Sequence, residues 1–195
     1  MAEKTITNKS RVDTYTLTLI GVMTAVTCIL GPLSVPIGLV PISLTNLAIY
    51  FTVILLGWKK GTISYLIYLL LGLVGIPVFA NFTGGAGKLF GPTGGYLIGF
   101  IFMALIAGFF VEKFAGKVYL YFAGMLLGTL VTYLFGTAWL AYTANLSFKS
   151  ALMAGVIPFI PGDLAKMIIA VIVGPMIKKE CLDKYICYWQ CMDGE

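Results

Sequence analysis

Asp163 and Lys166 are the residues of this chain best equipped for chemistry, because they are charged, three positions apart and set in an apolar run. They follow Pro158-Phe159-Ile160-Pro161-Gly162 within the apolar stretch 151–177. Residues three apart share one helix face, so the carboxylate and the ammonium are placed to act together. Each costs roughly 2.5–3.5 kcal/mol at the centre of a bilayer-spanning helix unless it is paired or hydrated. Three arrangements meet that cost. The pair binds a polar ligand, the charges only neutralise each other, or Asp163 caps a helix after Pro-Gly while Lys166 snorkels to the interface. The spacing favours the ligand site. Glu112, the other acidic residue between Thr14 and Gly174, stands beside Lys113 at the end of an apolar run and reads as an interfacial charge.

Catalysis finds little support. The chain has no histidine, which removes the commonest general base and metal ligand. Ser43, Ser64, Ser147 and Ser150 have no evident activating partner, so no catalytic residue is assigned and no enzyme is expected. The cysteines at 28, 181, 187 and 191 lack zinc-site spacing, and no metal is expected. Gly84-Gly85-Ala86-Gly87-Lys88-Leu89 invites comparison with a nucleotide-binding loop. It fails, since Phe82 falls where the first glycine belongs and Leu89 replaces the Ser or Thr that holds magnesium.

Composition names the solvent in which any site must work. Of 195 residues, 59% are hydrophobic and 11% charged, against about 25% charged in soluble domains. A spanning helix takes about 20 mainly apolar residues, so the chain has room for five or six spans and no sizeable soluble domain. The net charge of +5 is spread in small groups between apolar runs, the pattern of orienting loops rather than of a nucleic-acid face. No cleavable signal peptide is evident in the polar first dozen residues.

Apolar segments at about 14–32, 41–57, 61–80, 92–111, 118–143 and 151–177 predict an all-α integral membrane protein of six transmembrane helices. The expected organisation is a cytosolic segment 1–13, one transmembrane domain 14–177 and a cytosolic tail 178–195. Lys4, Lys9, Arg11, Lys59, Lys60, Lys113, Lys117, Lys178, Lys179 and Lys184 fall on one face, whereas Lys88, Lys149 and Lys166 fall on the other or near it. Positive residues mark the cytosolic side, so both termini are expected there, and a cysteine-bearing tail there is not expected to form disulfides. The loops 31–43, 80–93 and 145–160 are then left outside. They are rich in Gly, Pro and small polar residues, and irregular backbone at membrane depth survives only beside protein or water. They predict a pocket open outward.

Small residues recur four apart at Gly21/Ala25, Gly57/Gly61, Gly95/Gly99 and Gly124/Gly128, which permits close helix approach in lipid. Internal packing is expected for the last three. Gly21 and Ala25, on the first helix, are expected to face an external helix partner.

Three segments carry a family resemblance: Gly84-Gly85, Gly91-Pro92-Thr93-Gly94-Gly95-Tyr96-Leu97-Ile98-Gly99-Phe100, and Pro158-Phe159-Ile160-Pro161-Gly162-Asp163-Leu164-Ala165-Lys166. With Gly75-Ile76-Pro77-Val78-Phe79-Ala80 and Trp139-Leu140, they make residues 40–175 resemble the BioY family, the biotin-specific S components of energy-coupling factor (ECF) transporters. Pro41-Ile42-Ser43-Leu44-Thr45-Asn46-Leu47 departs from the family pattern, with Ser43 and Thr45 where Thr and Gln are usual. The resemblance implies a six-helix S-component-like bundle in the bacterial plasma membrane that binds biotin from outside. It also implies docking onto a transmembrane coupling protein with two cytosolic ATPases, so that ATP is used by partner subunits and this chain carries no cofactor. Biotin offers a ureido group and a carboxylate, to which a buried carboxylate and an ammonium are suited. Asn81 and Tyr96 are the leading further contacts, followed by Thr93 and Ser43. A proton-coupled carrier acting alone, and a membrane scaffold without transport, are the competing functions.

Overall fold

The long apolar runs become helices in which several buried threonine hydroxyls are satisfied by the helix itself. In the computed structural model, which describes residues 14–36 and 40–192, Thr24, Thr27, Thr52 and Thr129 each donate to the carbonyl four residues back, at 2.7–2.8 Å. This is how a polar side chain is accommodated where no water reaches. Helix α1 spans Thr14–Leu30, α2 Thr45–Val74, α3 Ala86–Leu89, α4 Gly94–Lys113, α5 Val118–Thr143, α6 Phe148–Gly155 and α7 Ile160–Met192. A two-residue ribbon, β1 (Ser34–Val35) with β2 (Ile42–Ser43), interrupts the helical pattern and was not legible in the sequence. The predicted segment 1–13 with Lys4, Lys9 and Arg11, positions 37–39, and 193–195 lie outside the described residues, as do the side chains at 181, 184, 187 and 191.

Six membrane-crossing stretches result, because α2 is a hairpin. Gly57 has φ 77° and ψ −175°, a left-handed conformation open to glycine at little cost. A Cβ added at Gly61 would come within 3.3 Å of the Val53 Cα, so the arms on either side of Gly57 run back along each other. The expected break at 57–60 is therefore one residue long. The second arm ends at Gly75, φ 112°, whose N–H bonds the Gly72 carbonyl, a left-handed helix stop. The last predicted segment also divides: α6 and a 3-10 turn at Ile157–Phe159 precede α7, where Pro158 and Pro161 punctuate the chain. Helix α7 continues past the expected span end at 177 to Met192 without a break.

Among the described residues four helical stretches are long and apolar enough to cross a membrane, α2 being counted over its full 30 residues, with α1 as a shorter apolar helix. Their outer faces expose Leu17, Val22 and Ile29 on α1, Leu130 and Leu134 on α5, and Ile168, Ile172 and Met176 on α7. A soluble monomer rarely shows so much contiguous apolar surface; lipid is its natural solvent. The core between the arms of α2, α4, α5 and α7 holds Tyr50, Tyr65, Tyr68, Met103 and Met125. Gly95, Gly99, Gly124 and Gly128 face Trp139, Thr132, Phe110 and Met103 at contact distance, and Gly61 faces Val53. These pairs serve internal packing, as expected.

The bundle has two chemically different ends. At one, Tyr15, Thr16, Gly57, Lys59, Lys60, Glu112 and Lys178 lie together. At the other, the Gly-, Pro- and Asn-rich connections converge: Asn81 N–H donates to the Pro32 carbonyl at 3.2 Å, and the Trp139 indole N–H to the Gly91 carbonyl at 3.0 Å.

Candidate functional site

A cavity opens at the end where the irregular connections meet, with about 700 Å³ of space that includes open solvent at its mouth. Its apolar wall is Val40, Phe79, Leu97, Phe100, Met103 and Phe159. Its charged side chains Asp163 and Lys166 belong to one network built from three helices.

Helix α7 supplies the charges. Pro161 stands in its first turn, where a missing N–H leaves no bond unmade, and Asp163 follows on the inward face. Asp163 is 5% exposed and Lys166 8%, and the two form an ion pair of 3.1 Å. Neither an N-cap nor a snorkelling lysine describes this geometry, because α7 begins ahead of Asp163 and Lys166 points inward. The start of α2 supplies Asn46. Its side-chain N–H donates to Asp163 Oδ1 at 2.7 Å, while its Oδ1 accepts from Lys166 Nζ at 3.1 Å. Helix α5 supplies Tyr133, whose hydroxyl donates to Asp163 Oδ2 at 2.6 Å. Lys166 Nζ also donates to the Ser43 carbonyl at 2.7 Å.

The balance of donors and acceptors defines what the wall can do. An ammonium has three donors, and the three bonds of Lys166 use them on Ser43, Asn46 and Asp163. A carboxylate has roughly four acceptor positions, and three are taken by Asn46, Lys166 and Tyr133. The wall therefore retains acceptor capacity at Asp163 Oδ2 and on the Tyr133 oxygen. Charge-assisted bonds of this kind are short and strong, and the low-dielectric surroundings make each one matter.

The remaining predicted residues divide. Thr93 lines the cavity with a buried hydroxyl that has no partner among the described residues. Tyr96 lines it too, with its hydroxyl donating to the Gly155 carbonyl at 3.0 Å. Ser43 lines it, giving its carbonyl to Lys166 and its hydroxyl to Thr45 at 3.0 Å. Asn81 does not line it: φ 61° turns its backbone left-handed, and its Oδ1 accepts from the Ser34 hydroxyl at 2.8 Å. That side chain ties the connection at 31–43 to the one at 80–93. Gly21 and Ala25 are exposed on α1, opposite Thr24 and Thr27, which pack inward, and a Cβ at Gly21 would meet nothing within 4 Å. Asn46, Tyr133 and the rim residue Lys88 were not singled out by sequence. Only Asn46 carried a local sign, as an amide among apolar residues at a segment start.

Comparison with known proteins places this architecture. The sequence profile of the BioY family matches residues 4–183. The biotin transporter BioY of Thermotoga maritima is 37% identical over 159 residues, covering 82% of this chain and 93% of that protein. The biotin transporter BioY of Lactococcus lactis subsp. cremoris is 37% identical over 183 residues, covering 90% and 95%. A crystal structure of the S-component for biotin from an ECF-type ABC transporter superposes with a TM-score of 0.79 at 37% identity, covering 85% of this chain and 91% of that one.

Proposed function

Because the chain belongs to the BioY family, we propose that it is the substrate-capture subunit of an ATP-driven importer and takes up biotin at the outer face of the bacterial plasma membrane. Its work is transport rather than catalysis, as for its named relatives. The observation that carries this reading is the buried Asp163–Lys166 pair, held by Asn46 and Tyr133 on one wall of an otherwise apolar cavity.

Biotin matches that wall group by group. A ureido N–H finds the spare acceptor capacity at Asp163 Oδ2 and Tyr133. The ureido carbonyl approaches Lys166 in place of one of its present acceptors. The apolar flank of the bicycle lies against Phe79, Phe100 and Phe159. The valerate carboxylate meets Lys88, the second cation among the lining residues, and Thr93 and Tyr96 complete the enclosure. Binding is tested by calorimetric titration of biotin into the detergent-purified chain; absence of saturable binding sinks the reading.

Energy comes from elsewhere in the assembly. The Gly-rich stretch 84–89 lacks a phosphate-binding pattern, and the similar crystal structure is described as one component of an ECF-type transporter. A transmembrane coupling protein with two cytosolic ATPases is the matching assembly, with Gly21 and Ala25 as the face offered to it. The lysine-bearing end is cytosolic, residues 14–177 act as one transmembrane domain, and this chain needs no cofactor of its own. Co-purification of the ATPases with this chain tests that assignment.

A further inference from the structure

The basic end of the bundle contains a second built hollow that shares no residue with the ligand cavity. Two adjoining spaces, of about 540 and about 580 Å³ measured to open solvent, lie where the start of α1, the Gly57 reversal and α7 meet. Leu55, Leu56, Lys60 and Lys178 line both. Lys59 and Glu112 line one, and Thr16 and Leu19 line the other. Three ammonium groups thus converge from the reversal and from α7, which are more than a hundred residues apart in sequence.

Among the described residues one carboxylate accompanies them, that of Glu112, which lines the same hollow. Glu112 Oε2 accepts the Trp58 backbone N–H at 3.4 Å. Among the described residues the ion pair within 4 Å is Asp163–Lys166, in the ligand cavity. Lys60 Nζ donates to the Thr16 hydroxyl at 3.0 Å, which holds its charge over the hollow between α1 and α2. Lys178 is half-buried beside the same leucines. Three ammonium groups against one carboxylate above an apolar floor leave an excess of positive charge, the complement of an anion with an apolar body.

We propose that this hollow binds a phosphate-bearing anion, with the phosphate among Lys59, Lys60 and Lys178 and an adjoining apolar portion against Leu19, Leu55 and Leu56. An anionic phospholipid headgroup and a soluble phosphate compound share that chemistry. The apolar floor and the position at the membrane end of the helices favour the lipid, whose glycerol and first methylenes would rest on the leucines. A bound lipid would tie α1 to the Gly57 reversal and α7, the elements that lead from this end of the bundle to the ligand wall.

The test uses the full chain in a neutral detergent, with native mass spectrometry counting adducts of dioleoyl phosphatidylglycerol, dioleoyl phosphatidylcholine or inorganic phosphate. The parent should retain phosphatidylglycerol in preference to phosphatidylcholine. Lys60→Gln with Lys178→Gln should lower phosphatidylglycerol occupancy about tenfold, the loss expected for charge-assisted bonds, without changing its thermal unfolding. The paired Arg replacements should keep the lipid, and Lys113→Gln with Lys117→Gln, which lie at the same end but do not line the hollow, should keep it as well. Displacement of the lipid by millimolar inorganic phosphate alone would retain the phosphate site and assign it to a soluble ligand. Equal binding of the two lipids, or equal loss in the Lys113 and Lys117 variant, overturns the proposal. So does unaltered lipid binding by the Lys60 and Lys178 variant when its assembly with a coupling protein is lost, because the hollow is then a protein contact.

Discussion

Asp163 Oδ1 accepts the Asn46 side-chain N–H at 2.7 Å across 117 residues of chain. The bond joins the start of α2 to the first turn of α7, and the same amide presents its oxygen to Lys166. Asn46 therefore lies between the two charges as a neutral bridge. Neither charge can be removed without stranding a donor or an acceptor of the bridge, and a stranded buried polar group costs about 1–3 kcal/mol.

That bridge separates a ligand site from a merely structural ion pair. Asp163→Asn keeps an acceptor for Asn46 and Lys166 at the Oδ1 position but puts an N–H donor at the Oδ2 position, where Tyr133 and a ligand N–H require an acceptor. It should weaken biotin binding about tenfold to a hundredfold, the worth of a bond to a charged group. Lys166→Met keeps the stem and should weaken binding to a similar degree. If the charges served only to neutralise each other, the double variant would regain both stability and affinity. Titration of all three variants beside their thermal unfolding decides, and parent-like biotin binding by the double variant removes Asp163 and Lys166 from the ligand site.

Tyr133→Phe isolates the third donor to the carboxylate. Asp163 Oδ2 loses its protein partner, and the wall loses one of its two spare acceptors. Affinity for biotin should fall about tenfold, while stability falls by about 1 kcal/mol, the ordinary net value of one hydrogen bond. An unchanged titration curve would show that the hydroxyl only braces α5 against α7.

The two charges were legible in the sequence because an ion in an apolar run is costly enough to need a reason. Their partners were not. Tyr133 is one of 11 tyrosines, and nothing local marks the one that meets a carboxylate 30 residues away. Asn81 was read toward the ligand because it is polar and lies in an outward loop. Its left-handed backbone, stabilised by Ser34, is set by a contact across 47 residues that spacing does not reveal. The segment count was legible because lipid enforces a length on each apolar run, whereas the one-residue reversal at Gly57 depended on a backbone angle. The division of the last segment into α6 and α7 could be anticipated only as a break at Pro158 and Pro161, with no indication of where the chain would turn.

The exposed pair on α1 and the buried glycines make opposite predictions from the same substitution. Gly21→Leu or Ala25→Leu adds bulk at exposed positions, where a Cβ at Gly21 meets none of the described residues. It should leave biotin affinity unchanged and reduce co-purification with a coupling protein. Gly95→Leu would drive its Cβ into Trp139 and should destabilise by about 1–3 kcal/mol, the usual cost of overpacking, with binding lost alongside. Loss of biotin binding in Gly21→Leu would place α1 in the internal core.

Orientation is open to a chemical readout. Cysteine placed at Lys59 or Lys117 should be shielded from a membrane-impermeant thiol reagent in intact cells and react once the cells are opened. Cysteine at Ser147, which caps α6 at the cavity end, should react in intact cells. The reverse pattern would turn the cavity toward the cytosol and rule out capture from outside.

Lys88 tests how the ligand lies in the cavity. Among the described residues it is the one lining cation outside the Asp163 network, and it belongs to the short helix α3 rather than to the ligand wall formed by α2, α5 and α7. If biotin directs its ureido group to Asp163 and Tyr133, the valerate carboxylate is the group left for Lys88. Biotin amide has the same bicycle and chain but no charge, so the parent should bind it more weakly than biotin. A partly exposed ion pair is worth up to about 1 kcal/mol, or about fivefold in affinity. Lys88→Met should lower biotin affinity to that of the amide and leave the amide unaffected, so that the difference between the two ligands disappears. Lys166→Met should weaken both ligands together, because it acts on the end they share. Should Lys88→Met weaken the amide as much as biotin, the lysine shapes the mouth and takes no part in recognising the carboxylate. Should Lys166→Met be the variant that abolishes the difference, the ligand lies the other way round, with its carboxylate at the buried pair.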